Sequence, residues 1–224
     1  TNLPDTPTSD LLQILLAHTR VDFRDYKQTT IGRRIRRRMV ALNIESEEEY
    51  TEFCRHNPSA VDALFKDLLI SVTRFFRDKE AFEQLTAILP KLLERHGSAQ
   101  GRGWVAGCAT GEECYSIAMA MCEALGCTPA EFKSKVQIFA TDIDNAALRV
   151  ARKGTYNLSA LNDIPRDLAE KYLVRSSDSV RVIEPLRAAI LFSNHNVCQA
   201  PPFQRIALLC CRNLLIYFGH ALQR

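Results

Sequence analysis

The residues of this chain best able to do chemistry begin at Ala106-Gly107-Cys108-Ala109-Thr110-Gly111-Glu112-Glu113. Glycines at the exit of a buried strand let a ligand approach the backbone, and the helix start that follows presents free N–H groups. The spacing is neither the dinucleotide fingerprint G-x-G-x-x-G nor a phosphate loop ending in Gly-Lys-Ser/Thr. Glu112 and Glu113 would repel an anion, so a ligand bearing positive charge suits this turn better than a phosphate. Alone, such a turn serves nucleotides, flavins and tight packing alike.

About thirty residues further on, Ala140-Thr141-Asp142-Ile143-Asp144 ends a second strand. An acid at that strand tip in a doubly wound fold commonly holds a ribose hydroxyl pair, the role expected for Asp142. The other reading is a helix N-cap, which Asp144 suits. Between Ile70 and Asp78, Phe75 and Phe76 can pack a core or flank an aromatic ligand, and Arg77 can hold a carboxylate through its planar fork. The same stretch reads equally as an amphipathic interdomain linker. Asn194-His195-Asn196-Val197, Pro201-Pro202-Phe203 and Cys211 to Phe218 complete the set. Within the last, Arg212 and Asn213 follow a buried strand, at the sheet edge where ligands of α/β folds bind.

The elements that must position these residues are legible from apolar spacing. Leu11, Leu12, Leu15 and Leu16 mark one helix, and Ile31, Ile35 and Leu42 a second. Ser46 with Glu49 opens a third as a capping box through Tyr50 and Phe53. Pro58 with Val61, Leu64, Phe65, Leu68 and Leu69 predicts a fourth, and Phe82, Leu85, Leu89 and Leu92 a fifth ending near Gly97. After Gly101-Arg102-Gly103 the pattern changes. Trp104 to Ala106 reads as a strand, Glu112 to Leu125 as a helix closed by Gly126, Val136 to Thr141 as a strand, and Asp144 to Lys153 as a helix closed by Gly154. Val180 to Glu184 and Ala188 to Phe192 read as a hairpin around Pro185, and Ile206 to Cys211 as another buried strand. This order predicts a helical N-terminal domain with linker over residues 1–78 and an α/β domain with a parallel sheet over 79–224.

Composition sets outer bounds. The chain has 224 residues, 46% of them apolar and 25% charged, which excludes wholesale disorder. With 29 basic against 26 acidic residues, net charge does not argue for a nucleic-acid partner. Apolar runs such as Ile206 to Cys211 fall far short of the ~18–20 residues that cross a bilayer, and the start has no secretory leader pattern. A cytoplasmic protein without membrane insertion is expected. The eight cysteines form no C-x-x-C pair and stand without His at zinc spacing, so reduced, mostly buried thiols and no metal are expected. The total charge hides a polarity. Residues 20–38 hold eight basic side chains against two acidic ones, and residues 39–70 hold seven acidic against two basic.

Taken together, SVTRFFRD (71–78), GCATGEECYSIAM (107–119), FATDID (139–144), KGTYN (153–157), HNV (195–197), PPF (201–203) and CRNLLIYF (211–218) resemble, in order and over nearly the whole chain, the CheR family of chemotaxis-receptor methyltransferases. The opening HTRVDFRDYKQTTIGRRIRRRM is similar to methyltransferase domains of larger hybrid chemotaxis proteins. The resemblance implies an all-helical domain joined to a Rossmann-like methyltransferase domain with a small antiparallel subdomain. It implies S-adenosylmethionine as methyl donor, with S-adenosylhomocysteine as product. Ser71, Thr73 and Arg77 would line the cofactor pocket with Gly107. Glu113 would bind the methionine end, Asp142 the ribose, and Asn196 and Val197 would sit near the adenine. Arg212 and Asn213 would lie close to the reacting centre with Tyr217; Arg77, Arg212 and Tyr217 are the candidate catalytic residues. The chain carries Ser71, Cys114 and Ala207 where the family usually has Asn, Pro and Asp.

The implied reaction is methylation of receptor glutamate side chains. A glutamate is already ionised at neutral pH, its unperturbed pKa being ~4.3, so in-line attack on the sulfonium methyl needs orientation and partial dehydration rather than a general base. The cytoplasmic domain of chemoreceptors is then the expected partner, docked through Arg33, Arg34, Arg36, Arg37 and Arg38 by charge complementarity. The alternatives are a related methyltransferase with a non-receptor protein substrate and a non-catalytic S-adenosylmethionine-binding signalling module. The family sheet has further strands beyond a helix expected at CRNLLIYF. A chain lacking them is expected to be incomplete, with Ile206 to Cys211 as an open edge, and to be monomeric or paired through that edge.

Overall fold

The structure, a computed structural model, describes residues 8–69, 71–94 and 100–223. Two compact units divide it, residues 1–70 with 213–224 and residues 71–212. The fifth helix's expected end near Gly97 and the start of the 70–78 stretch at Ile70 lie outside the described residues.

The first unit is helical. It holds α1 (Ser9–Thr19), α2 (Gln28–Leu42), α3 (Glu47–His56) and α4 (Pro58–Leu68). Leu11, Leu15, Phe23, Ile35, Met39, Tyr50 and Leu64 are fully buried and form its core. The Ser46 hydroxyl accepts from the Glu49 N–H at 3.1 Å and starts α3, which is the N-cap half of the expected capping box. Pro58 at the first turn of α4 fits the fixed φ of proline. Residues 213–223 join this unit: the Tyr217 carbonyl accepts from Lys27 N–H at 2.9 Å, and Tyr26 meets Phe218 edge to face at 5.1 Å. The helix expected at CRNLLIYF is a single 3-10 turn, Leu215–Tyr217. Asn213 takes φ +57° and turns the chain, Leu215 and Ile216 stay exposed, and Phe218 is the buried residue of the run.

The second unit is α/β. In chain order it holds α5 (Lys79–Glu94), β1 (Gly101–Ala106), α6 (Glu112–Ala124), α7 (Pro129–Lys135), β2 (Val136–Asp142), α8 (Asn145–Lys153), β3 (Thr155–Asn157), a 3-10 helix (Leu158–Asp163), α9 (Arg166–Tyr172), β4 (Leu173–Arg175), β5 (Ser179–Val182), α10 (Glu184–Ala188), β6 (Ile190–Asn194) and β7 (Leu208–Cys210). Among the described residues the main sheet runs β6-β2-β1-β7, all parallel, and a second, antiparallel sheet runs β3-β5-β4. An all-helical unit with a parallel sheet and a small antiparallel sheet is the architecture the resemblance implies.

The hairpin expected at 180–192 is absent. Pro185 stands in the first turn of α10, where a proline starts a helix instead of turning two strands. Its two arms join different sheets, β5 the antiparallel one and β6 the parallel one beside β2. The strand expected at Ile206 to Cys211 shortens to β7, an edge strand with Leu209 exposed.

Local chemistry explains the elements nearest the strand ends. α6 is buried from Glu113 to Cys122, packed among α5, α10 and β2. Thr128 and Glu131 form a reciprocal capping box at α7. Asp144 caps α8 through Ala146 and Ala147 N–H, and Gly154 ends it at φ +60°. The register sets Ala106 beside Thr141 and Asp142 beside Asn194, which aligns the C-terminal tips of β1, β2 and β6. Of the cysteines, Cys54, Cys108, Cys114, Cys122 and Cys127 are buried free thiols; Cys198 is exposed, and Cys210 and Cys211 are half buried.

Candidate functional site

Loops from several elements of the α/β unit converge at the strand tips. The first follows β1. Gly107 and Cys108 N–H both donate to the Thr141 carbonyl, so the loop leaves β1 tied to β2. Gly107 (φ +71°), Ala109 (φ +47°) and Gly111 (φ +95°) make the left-handed turns that bring the chain to α6. Gly111 has no room for a side chain: a Cβ there would lie 2.8 Å from the Ala151 Cβ.

Asp142 closes the turn from the other side. One carboxylate oxygen accepts from Ala109 N–H at 2.8 Å, and the other accepts from Asp144 N–H at 2.8 Å. Each oxygen retains a second lone pair. Burial pushes the Asp142 carboxyl above the ordinary carboxylate range, against the lowering effect of those N–H donors. Glu112 is raised by the same cause, while Thr110 donates to it at 2.6 Å. Ser71, on the linker before α5, donates to the Asp144 carboxylate at 2.9 Å, so it reaches the α8 cap.

Glu113 stands in the first turn of α6 and is buried. Its Oε2 accepts from Arg212 Nη1 at 2.9 Å, and its Oε1 accepts from the Cys210 thiol at 3.1 Å. Burial pushes that thiol up, and the neighbouring Glu113 charge adds to the effect. The same guanidinium reaches Asp78 at 2.6 Å and the Arg77 carbonyl at 2.9 Å, with the Phe82 ring 5.5 Å below it. Arg77 itself donates to the Val72 carbonyl at 3.3 Å. Thr73 is half buried on the same linker.

The third loop follows β6. His195 N–H donates to the Asp142 carbonyl at 3.1 Å, and the Asn194 amide donates to the Ile143 carbonyl at 3.0 Å. The Asn196 side chain folds into its own turn, accepting from Cys198 N–H at 3.0 Å and donating to Gln199 at 3.2 Å. Val197 is half buried beside it.

The structure thus brings Ser71, Arg77, Gly107, Glu113, Asp142, Asn196, Val197 and Arg212 into one unit at or beside the strand tips. Asn213 and Tyr217 belong to the helical unit, where Tyr217 supplies its carbonyl to Lys27. Sequence reasoning assigned no role to Asp78, Cys210 or the Ala109 N–H, yet each contacts a candidate residue. Asp144 takes the capping role foreseen for it. In the arginine-rich α2, Arg33 and Arg37 are exposed, whereas Arg38 turns to Asp67 at 3.2 Å and ties α2 to α4.

A parallel sheet in the order β6-β2-β1-β7, with a glycine turn after β1 and an acid at the tip of β2, is the arrangement of nucleoside-binding α/β domains. Residues 71–224 match the family described as CheR methyltransferase, SAM binding domain, and residues 9–69 match CheR methyltransferase, all-alpha domain. Chemotaxis protein methyltransferase 2 of Pseudomonas aeruginosa is 32% identical over 211 residues, covering 92% of this chain and 73% of that protein. The chemotaxis protein methyltransferase of Salmonella typhimurium is 31% identical over 232 residues, covering 99% of this chain and 76% of that protein. An uncharacterized 104.1 kDa protein of Rhodobacter capsulatus is 34% identical over 210 residues, and there this chain spans 22% of the relative's length. The chain belongs to the CheR methyltransferase family, and S-adenosylmethionine is the cofactor of its α/β domain.

The residues present fit that cofactor. The Asp142 oxygens keep lone pairs for further donors, and Glu113, already bonded to Arg212 and Cys210, is a carboxylate in the first turn of α6, a donor set compatible with hydroxyl and ammonium groups. Among the described residues, no helix is long and apolar enough to cross a membrane.

Proposed function

We propose that this chain transfers a methyl group from S-adenosylmethionine to glutamate carboxylates of a chemoreceptor's cytoplasmic domain. The observation that carries the reading is the pairing of two carboxylates, Asp142 and Glu113, around the glycine turn of a CheR-family domain. Bound there, S-adenosylmethionine supplies an electrophilic methyl group on a sulfonium sulfur. Asp142 takes the ribose hydroxyls, and Glu113 takes the ammonium of the methionine end. Asn196 spends its side chain on its own turn, which leaves the backbone of Asn196 and Val197 to meet the adenine edge. Ser71 and Thr73 border the pocket from the linker.

Charge placement supports an already ionised acceptor. Arg212 is engaged by Glu113 and Asp78, so its charge is spent inside the protein. It therefore positions Glu113 and leaves an incoming carboxylate's nucleophilicity undiminished. Arg77 is the remaining candidate of the α/β unit for steering that carboxylate. Arg33, Arg34, Arg36 and Arg37 form the docking face for an acidic helical bundle, and Arg38 serves α4. The boundary of catalytic and docking domains falls at the 71–78 linker, and a cytoplasmic location follows from such a partner.

The test is transfer of tritiated methyl from S-adenosylmethionine to receptor-containing membranes. Label released by mild alkali, as expected of an ester, supports the reading. Alkali-stable label means another acceptor, and cofactor binding without transfer means a signalling module.

A further inference from the structure

The loop from Asn194 to Phe203 is held by a side chain to which the reaction assigns no part. The His195 ring stands edge-on to Trp104 at 5.5 Å between centroids and lies against Phe203 at 5.2 Å, tilted by 31°. Phe203 in turn stacks on Phe139 at 4.6 Å, and Trp104 donates to the Thr141 hydroxyl at 2.9 Å. Trp104 of β1 and Phe203, itself stacked on Phe139 of β2, therefore flank the half-buried imidazole. Its Nε2 lies 3.1 Å from the Pro201 carbonyl. A carbonyl only accepts, so Nε2 carries the proton and donates. The other ring nitrogen, Nδ1, is buried without a hydrogen-bond partner among the described residues. A buried unpaired polar atom is costly, a cost an apolar ring of similar size would not carry. What the imidazole gains in exchange is the bond to Pro201.

That bond closes the loop as a ring. At one end the His195 N–H is fixed to the Asp142 carbonyl, at 3.1 Å. At the other, the imidazole fixes Pro201, whose backbone is stiffened by the Pro202 that follows. Asn196 and Val197 lie between these anchors, and the turn they enter is closed by Gln199 and Ala200 N–H donating to the Asn196 carbonyl. We infer that His195 is a positioning residue for cofactor binding: its Nε2–H clamps Pro201 and so presets the 196–197 backbone against the adenine. The inference rests on the proposed adenine role of Asn196 and Val197, and the ligand class is an adenine nucleoside.

Calorimetric titration of S-adenosylhomocysteine into the 224-residue chain tests it. His195→Phe keeps the ring and removes the donor; His195→Gln keeps an N–H donor at the reach of Nε2. Loss of one neutral hydrogen bond predicts about five- to tenfold weaker binding for His195→Phe, and recovery to within about twofold for His195→Gln. Adenosine alone should lose the same factor as the full product, because the clamp acts on the adenine side. Should His195→Phe fold poorly, His195→Leu gives the same comparison without the steric load. Parent-like affinity in the donor-less variant, or equal weakening in His195→Gln, overturns the inference while leaving the cofactor reading intact. Absence of any binding by the unsubstituted chain overturns both.

Discussion

Arg212 Nη1 donates to Glu113 Oε2 at 2.9 Å, and the other amine of the same guanidinium reaches Asp78 at 2.6 Å. One cation therefore serves two carboxylates, and the buried Glu113 is compensated from a residue at the far end of the α/β unit. This arrangement sets the geometry of the acid proposed to hold the methionine end of the cofactor. Glu113→Gln removes the charge and keeps the shape. A charge-assisted hydrogen bond is worth about 1.5–3 kcal/mol, so affinity for S-adenosylhomocysteine should fall roughly 10- to 150-fold. Arg212→Leu should weaken binding as well, and Arg212→Lys should restore it only in part, because a point charge cannot bridge two carboxylates as a planar fork does. Calorimetric titration of the three variants decides this, and unchanged affinity in Glu113→Gln would remove Glu113 from the site.

Asp142 gives a pH signature. Burial raises its pKa in the folded chain, so the native state binds its proton more tightly than the unfolded state does. That linkage favours folding fully below the unfolded carboxylate value of ~3.9 and is lost as pH rises through the raised native value. Glu112 acts in the same direction. Ribose hydroxyls, in contrast, need the ionised carboxylate as acceptor. Cofactor affinity should therefore drop as pH is lowered from neutral through the native pKa of Asp142, while the unliganded chain loses no stability from this group over that range. In Asp142→Asn the Asp142 step in the affinity profile should vanish. An identical profile in parent and variant would assign the step to another group.

Gly111 is the steric control. At φ +95° any side chain is strained, and a Cβ would press on Ala151 at 2.8 Å and Tyr156 Oη at 3.2 Å. Gly111→Ala should cost about 1–3 kcal/mol, a fall of roughly 2–12 °C in melting temperature for a chain of this size. Gly126→Ala, also at positive φ but with nothing within 4 Å, should cost less. Equal losses would mean the turn after β1 relaxes freely.

The exposed arginines of α2 make a separable prediction. Arg33→Glu with Arg37→Glu reverses charge on the solvent side of the helix without touching the Arg38–Asp67 pair. Binding to receptor-containing membranes should weaken at least tenfold and lose most of its salt sensitivity, with cofactor affinity unchanged. Parallel loss of both would make the helix a structural element only.

The sequence discloses α1 to α6 and α8 because their apolar stripes and caps are local signals, whereas α7, α9 and α10, of five to seven residues, are too short to show a stripe. Ser46 with Glu49, Asp144 ahead of α8, and Gly154 after it each act within four residues of their partners. It misplaced the 180–192 segment because two short alternating runs around a proline look alike whether they pair with each other or with separate sheets. Long-range pairing with β2 and β3 decides that, and spacing does not encode it. The site divides in the same way. Asp142 was found from its place at a strand tip, and Glu113 from the family resemblance. Asp78 and Cys210 were not, since their bonds to Arg212 and Glu113 span 134 and 97 residues and leave no periodic trace.

In the proposed complex the Asp142 carboxylate grips the sugar of a bound S-adenosyl ligand. Titrating the parent chain and Asp142→Ala with S-adenosylhomocysteine and with its analogue lacking both ribose hydroxyls tests that contact directly. The parent should prefer the hydroxylated ligand by at least about tenfold, two hydrogen bonds to a charged group being lost in the analogue, and Asp142→Ala should prefer it hardly at all. The same preference in both proteins would mean that Asp142 does not hold the ribose.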